Sequence, residues 1–213
     1  MVTNNMIVAI EGMDGAGKTT ICNHIERNFG FINIEKPTKY FFKDKKGNID
    51  QEIFKQVLNK VYLMNNKNRS EFFGKGNELA VTMYPNCDVV LDRHIASNYY
   101  WNGDKTLKRF FSKLVEKCGK PDITIFLYAT PSVRYTRLQK RNEKEMDLYD
   151  KSIFKDGTKK HIEFLEEYEM PYVIIDTNNK TISQVCREVD SIIKYIKYNS
   201  STEGKVNKGG RRL

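Results

Sequence analysis

The sequence lacks several features that would place it outside the soluble globular class. It has no run of about 18 apolar residues, so no membrane span is predicted. Its four cysteines, Cys22, Cys87, Cys118 and Cys186, are scattered without Cys-x-x-Cys spacing. This scatter predicts reduced thiols that pack as small apolar groups, not a disulfide framework or a zinc site. A first apolar strand follows the N-terminus almost directly, so we expect no signal peptide and a cytoplasmic protein.

Acidic residues are in deficit. The 36 lysines and arginines outnumber the 27 aspartates and glutamates, which leaves a net charge of +9. Such a balance suits an acidic ligand. Part of the excess lies in residues 199–213, whose composition predicts a disordered, solvated tail. We therefore predict one domain over residues 1–198 and a basic tail over 199–213, and we do not expect nucleic acid as a partner.

One stretch near the N-terminus carries the strongest motif. An apolar strand over residues 7–10 precedes the pattern Gly-x-x-x-x-Gly-Lys-Thr, and a helical run over about 18–28 follows it. In this context the pattern predicts a phosphate-binding loop whose backbone N–H groups cradle a nucleotide. Its lysine can reach the terminal phosphates, and its threonine hydroxyl can ligate Mg²⁺. The predicted nucleotide-binding residues are Gly12, Met13, Asp14, Gly15, Ala16, Gly17, Lys18, Thr19 and Thr20.

Strands and helices alternate along the rest of the chain. Strands are predicted over residues 7–10, 31–34, 88–91, 123–127 and 172–176, and helices lie between them. Helices are expected from a cap at Asp50, over about 70–83, over 105–117, after Thr130, through Phe154, Ile162 and Leu165, and after the capping box Thr181-x-x-Gln184. This alternation predicts a single α/β domain with a five-stranded parallel sheet flanked by helices on both faces.

A phosphate loop alone indicates only a nucleotide. Further charged residues are predicted at the carboxyl ends of strands, where doubly wound proteins place their chemistry. They are Lys36, Asp92 and Arg93, with Arg69 and a basic stretch from Arg137 to Lys144 besides. Phosphoryl transfer needs two anions held in line and their charge neutralised, and a mobile flap over 142–151 would exclude water. These residues therefore predict a phosphotransferase, whereas the NKxD motif of GTPases is absent.

At three places the sequence resembles the thymidylate kinase family, within the wider thymidylate kinase and deoxynucleoside kinase superfamily. The matching stretches are residues 11–20, Asp92-Arg93-His94-x-x-Ser97, and residues 121–127 followed by Thr130-Pro131. Their order and spacing cover roughly residues 6–196. The resemblance implies transfer of the ATP γ-phosphate to dTMP with Mg²⁺, a P-loop kinase fold with a mobile lid, and a homodimer.

The resemblance also implies roles for single residues. Asp14 would meet the sugar 3′-hydroxyl of the acceptor, Arg93 would hold the acceptor phosphate, and Thr19 and Asp92 would lie at the metal. The implied catalytic residues are Lys18, Asp14, Arg93 and Arg141. The implied substrate-binding residues are Lys36, Pro37, Arg69, Arg93, Ser97, Asn98 and Trp101. Because the loop has Gly15 where some relatives carry arginine, a lid cation is expected; Arg141 is favoured, with Arg137 and Lys144 as alternatives.

Three alternatives stay open at this stage. A deoxynucleoside kinase would need a carboxylate base before Pro37, where the chain has Lys36; Glu35 lies one residue away. A related monophosphate kinase could prefer another base, because the family's base-stacking aromatic residue a few positions before Arg69 has no obvious counterpart. Asn65 lies near that place, and Met64, Phe72 or Phe73 could substitute for it. A non-catalytic nucleotide-binding or nucleic-acid-associated protein would use the basic segment 39–46 and the tail.

Overall fold

The structure, a computed structural model, describes residues 5–141 and 154–206, and for residues 200–206 only the backbone. Five strands form one parallel sheet in the order β2-β3-β1-β4-β5. The strands are β1 Ile7–Glu11, β2 Ile32–Glu35, β3 Val89–Asp92, β4 Ile123–Tyr128 and β5 Tyr172–Asp176. The predicted five-stranded parallel sheet is thus confirmed, and β1, which leads into the phosphate loop, lies at its centre.

Helices connect the strands. They are α1 Lys18–Phe29, α2 Gln51–Tyr62, α3 Asn66–Thr82, α4 Ile95–Asn102, α5 Lys108–Cys118, α6 Pro131–Arg141, α7 Thr158–Glu167 and α8 Ile182–Val206, with short 3-10 helices at Pro37–Phe42 and Lys105–Leu107. Two predicted caps are present: Asp50 accepts from the N–H of Ile53, and Gln184 accepts from the N–H of Thr181. The flap expected over residues 142–151 lies outside the described residues.

The sheet is covered on both faces, as the prediction requires. Val8 and Ile10 of β1 pack with Ile25 of α1 and Val189 of α8 in one apolar cluster. Phe111 of α5 belongs to a second cluster, which joins α4, α5 and α7. Burial on both faces explains why the central strands are nearly continuous apolar runs. These layers leave the carboxyl ends of β1 and β3 free to present the loop residues that follow them.

The structure corrects several predictions about the helices. The helix expected from about residue 70 begins at Asn66, because the Asn65 side chain caps it by accepting from the N–H of Asn68 at 2.9 Å. Arg69 therefore lies in the first turn of α3. The short helix α4 was not predicted, since its apolar and polar residues show no clear helical stripe. Phe154 precedes α7 and is exposed, so it does not belong to that helix.

The C-terminal helix extends past the predicted domain boundary at residue 198. α8 continues to Val206, and residues 207–213 lie outside the described residues. The division into a domain and a tail stays a prediction. The four cysteines are unpaired, and Cys22, Cys118 and Cys186 are buried, as expected of thiols that pack as apolar groups. Among the described residues no helix is both long and apolar enough for a bilayer.

Candidate active site

The phosphate loop adopts a backbone that only glycine tolerates at two positions. Gly12 has a φ of 136°, and a Cβ there would lie 2.4 Å from the carbonyl oxygen of Leu127 on β4. Gly15 has a φ of 81°, and a Cβ there would lie 2.8 Å from the carbonyl oxygen of Arg134 on α6. Such φ values and close approaches exclude larger side chains. The loop between β1 and α1 can therefore turn successive N–H groups toward an anion.

Lys18 begins α1, and its side chain curls back over the loop. Its Nζ donates to the carbonyl of Met13 at 3.0 Å and lies 3.7 Å from Oδ1 of Asp14. The residue is 6 % exposed. Burial, together with the positive charge of Arg93, lowers the pKa of Lys18 to about 8. A terminal phosphate at this place would meet a dehydrated ammonium and the helix N-terminus together.

Thr19 and Asp92 meet between α1 and β3. The Thr19 hydroxyl donates to Oδ2 of Asp92 at 2.8 Å, and Asp92 is buried. A hydroxyl and a carboxylate beside a phosphate loop fit Mg²⁺, which takes one or two protein oxygens and completes its shell with water and phosphate. Thr19 and Asp92 therefore offer oxygen ligands of the kind that the predicted metal site needs.

Arg93 and Asp14 form an ion pair across the ends of β3 and β1. Arg93 has a φ of 80°, which is costly for a non-glycine residue. Its guanidinium also donates to the Ser97 hydroxyl at 3.2 Å. Burial raises the pKa of Asp14, but the charges of Arg93 and Lys18 outweigh it, and the pKa is lowered overall. The Asp14 carboxylate is thus ionised at neutral pH and held between two cations.

Glu11 is a site residue that sequence reasoning missed. It is fully buried at the end of β1, where its carboxylate accepts from the N–H of His94 at 2.8 Å and the N–H of Ser97 at 3.0 Å. It also accepts from the Ser97 hydroxyl. Burial raises the pKa of Glu11 despite these bonds. The carboxylate thereby ties the start of α4 to the strand that carries the phosphate loop.

The predicted acceptor residues come from separate elements. Lys36 is exposed after β2 with a φ of 46°. Pro37 begins the 3-10 helix, which lies so close to Gly76 of α3 that a Cβ there would be 2.6 Å from Thr38. Arg69 is half-buried, and within the described part of the chain its buried Nε has no hydrogen-bond partner. Its Nη2 donates to Oδ1 of Asn66, so the side chain packs along the first turn of α3.

Two predicted acceptor residues on α4 differ in their surroundings. Asn98 is buried and donates from its amide to the carbonyl of Ser70 at 3.0 Å, which ties α4 to α3. Trp101 is half-buried, with its ring edge-on to Tyr100. The structure therefore turns Asn98 into the protein interior, whereas Trp101 keeps part of its ring surface exposed.

A cleft of about 450 Å³ opens on the other side of the loop. Gly15, Gly17, Arg137 and Arg141 line it. Arg137 donates to the Thr177 hydroxyl at 3.0 Å, so it braces the segment after β5. Arg141 is exposed at the end of α6, while the alternative cation Lys144 lies outside the described residues. The segment after β5 was not predicted as part of the site; it contributes Thr177, Lys180, Thr181 and Ile182 to the lining.

These features define a class of protein. A parallel sheet carries a phosphate loop at its centre, a hydroxyl and carboxylate pair beside the loop, and cations on two sides of it. This combination is that of a P-loop kinase, in which positioning and charge neutralisation carry phosphoryl transfer.

Comparisons with known proteins narrow the class to a family. The family model for thymidylate kinase matches residues 10–189, so the chain belongs to the thymidylate kinase family. It is 27% identical over 197 residues to a probable thymidylate kinase of Archaeoglobus fulgidus, covering 89% of this chain and 95% of the relative. It is also 27% identical to a thymidylate kinase of Clostridium novyi, covering 88% of this chain and 97% of the relative. The resemblance inferred from the motifs is confirmed.

Solved structures agree on the fold. A deoxyadenosine kinase of M. mycoides, solved with dCMP and dCDP, matches with a TM-score of 0.63 at 18% identity, covering 89% of this chain and all of that one. The same enzyme with bound dATP gives a TM-score of 0.61. At this identity the likeness concerns the fold alone, so it does not favour a nucleoside over a nucleotide as the acceptor.

Proposed function

We propose that the protein transfers the γ-phosphate of ATP to dTMP and so forms dTDP. One observation carries this proposal: Lys18, Asp14 and Arg93 form a contiguous charged group between the phosphate loop and α4. Lys18 faces the donor phosphates, and Arg93 lies on the acceptor side of the same loop. A cation on each side of a shared carboxylate suits two anionic reactants better than an anion and a neutral hydroxyl.

The donor side holds ATP through backbone and lysine. The N–H groups of the loop and of the first turn of α1 bind the phosphates, and Lys18 neutralises charge at their terminal end. Thr19 and Asp92 would hold Mg²⁺, which would supply further neutralisation of the donor phosphates. Arg141, on the rim of the cleft, is the proposed cation for charge that develops during transfer.

The acceptor side orients dTMP. Arg93 binds its phosphate; its backbone N–H donates to the carbonyl of Ile10 on β1, and its guanidinium donates to the Ser97 hydroxyl. Asp14 accepts a hydrogen bond from the sugar 3′-hydroxyl, and the half-buried Arg69 supplies positive charge for the phosphate or the base. Lys36, Pro37, Ser97 and Trp101 complete the proposed wall of the acceptor site. Together these contacts bring the acceptor oxygen in line with the γ-phosphate, which is the main requirement of phosphoryl transfer.

The deoxynucleoside kinase alternative is less well supported by the geometry. It needs a carboxylate free to take a proton from a 5′-hydroxyl. The carboxylate that the alternative would use belongs to Glu35, the last residue of β2, whose Oε2 lies 3.7 Å from Nζ of Lys39. This ion pair engages the side chain that the alternative assigns as the base.

A substrate screen tests the proposal. ATP consumption is measured with Mg²⁺ against the four deoxynucleoside monophosphates and the four deoxynucleosides. We expect turnover with dTMP and at most weak turnover with the others. Turnover confined to another monophosphate would change the nucleobase assigned to the acceptor. Turnover of a nucleoside that is lost in Glu35→Gln would refute the proposal in favour of a deoxynucleoside kinase. Glu52→Gln, an exposed change on α2, is the matched control.

A homodimer, which the family resemblance implies, and a cytoplasmic location stay predictions. Light scattering tests the first, since a dimer would have about twice the 24.9 kDa mass of the chain.

A further inference from the structure

Arg134 lies on α6, yet its side chain reaches the phosphate loop. The residue is 1 % exposed, and its guanidinium donates to the carbonyl of Asp14 at 3.3 Å and to the carbonyl of Lys155 at 2.7 Å. Asp14 belongs to the loop, and Lys155 belongs to the segment that leads into α7. One buried cation thus joins three parts of the chain that are distant in sequence.

The bond to Asp14 constrains the loop itself. In a trans peptide the C=O of one residue and the N–H of the next point in opposite directions. A donor on the Asp14 carbonyl therefore also fixes the direction of the Gly15 N–H. Because glycine accepts both signs of φ, the Asp14–Gly15 peptide could otherwise turn over at little cost. The guanidinium holds it in the orientation seen here.

Backbone packing supports the same pairing. The Cβ that a larger residue would place at Gly15 would lie 2.8 Å from the Arg134 carbonyl oxygen and 3.1 Å from its Cα. On the far side, a Cβ at Gly157 would lie 2.4 Å from the sulfur of Met13. The loop is therefore enclosed by α6 and by the segment before α7, and Arg134 is the polar link between them.

We propose that Arg134 is a positioning residue for the donor site, which fixes the Asp14–Gly15 peptide so that the loop N–H groups are oriented before the triphosphate arrives. The carbonyls of Asp14 and Lys155 lie in different directions, and the planar guanidinium has several N–H donors in a fixed arrangement that can reach both. A lysine ammonium does not offer the same geometry. The inference rests on the proposed function only for the identity of ATP as the donor. It differs from the roles of Arg93 and Arg141, since Arg134 acts through the loop backbone.

The test compares Arg134→Met with Leu138→Ala. Leu138 is buried on α6, one turn further along, so its truncation controls for lost stability of the helix. Binding of Mg-ATP is measured by calorimetry without any acceptor, beside the melting temperature of each variant. We expect Arg134→Met to bind ATP about 10- to 100-fold more weakly, the range for a hydrogen bond from a charged group. Leu138→Ala should keep an affinity within about threefold of the parent.

Further readouts separate positioning from general support. dTMP affinity of Arg134→Met should change far less than ATP affinity; an equal loss of both would overturn the proposal. Unchanged ATP affinity in this variant would also overturn it. If Arg134→Met does not fold, Arg134→Lys decides, since we expect a partial loss of ATP affinity and wild-type affinity would contradict the inference. Because ATP binding is measured alone, a parent protein that binds ATP but leaves dTMP unphosphorylated would refute only the proposed function.

Discussion

The proposed donor and acceptor sides of the site are built in different ways. Residues 12–20 form most of the donor side as one uninterrupted stretch, bounded by β1 and α1. The acceptor side draws on the 3-10 helix after β2, the first turn of α3, the end of β3 and the length of α4. A local stretch folds into its functional shape through its own backbone preferences. A surface assembled from four elements depends instead on how those elements pack.

The largest expected effect concerns the donor side, which one stretch of the chain forms. Lys18→Ala removes the buried ammonium from the loop, and we expect turnover to fall by about 100-fold or more, as for loss of one preorganised charge-stabilising group. Circular dichroism should show a folded protein. Lys113→Ala, an exposed change on α5, should keep full turnover. Near-normal turnover by Lys18→Ala would refute the assignment of the phosphate loop.

The second effect separates the two sides. Arg93→Ala should raise the KM for dTMP by about 10- to 100-fold, since a charge-assisted bond to the acceptor phosphate is lost. The KM for ATP should stay within about threefold of the parent. Arg93→Lys keeps the charge without the forked geometry, so its KM for dTMP should lie between those of the parent and of Arg93→Ala. An equal rise in both KM values would remove the distinction between the two sides.

A third effect follows from the pKa of Lys18. That pKa lies at about 8, so the ammonium loses its proton as pH rises through this value in the free protein. We expect kcat/KM for ATP to fall by roughly tenfold per pH unit above 8, because this ratio reports groups of the free enzyme. Lys18→Arg should bind ATP independently of pH in the same range, since a guanidinium stays charged. A flat profile for the parent from pH 7.5 to 9.5 would contradict the role of burial.

The smallest effect on activity is expected within α4. Asn98→Ala removes the bond to the Ser70 carbonyl and should lower the free energy of unfolding by about 1–3 kcal/mol. The KM for dTMP should change by less than about threefold, because the amide faces α3. Denaturant unfolding and steady-state kinetics measure the two quantities. A tenfold rise in KM at unchanged stability would restore Asn98 to the acceptor site.

Sequence patterns predicted the local half of the structure well. All five strands lie within one or two residues of their predicted bounds, because each is a short, largely apolar run followed by polar residues. The same holds for the Thr181 capping box and the Asp50 cap, whose partners lie three residues away. Patterns of this kind express preferences that the chain satisfies with its near neighbours.

The unpredicted half consists of partners far apart in the chain. Glu11 reads as an ordinary residue before a glycine, and its bonds join it to His94 and Ser97, 83 and 86 residues away. Arg134 reads as part of a basic helix face, although it is buried against the loop. Asn65 lies near the place where the family carries an aromatic residue, and the structure shows it as the N-cap of α3. No local pattern reveals such long-range burial, because packing alone decides which charge is enclosed.

The carboxylate of Glu11 has a consequence for how such a protein can diverge. It stands next to Gly12, and its oxygens hold the first turn of α4, so a shift of either segment is felt by the other. In evolutionary terms, we expect the phosphate loop and the start of α4 to tolerate substitution poorly, because a change in one disturbs the other. We expect the outer wall, where the 3-10 helix and α3 meet, to tolerate changes of acceptor preference more readily.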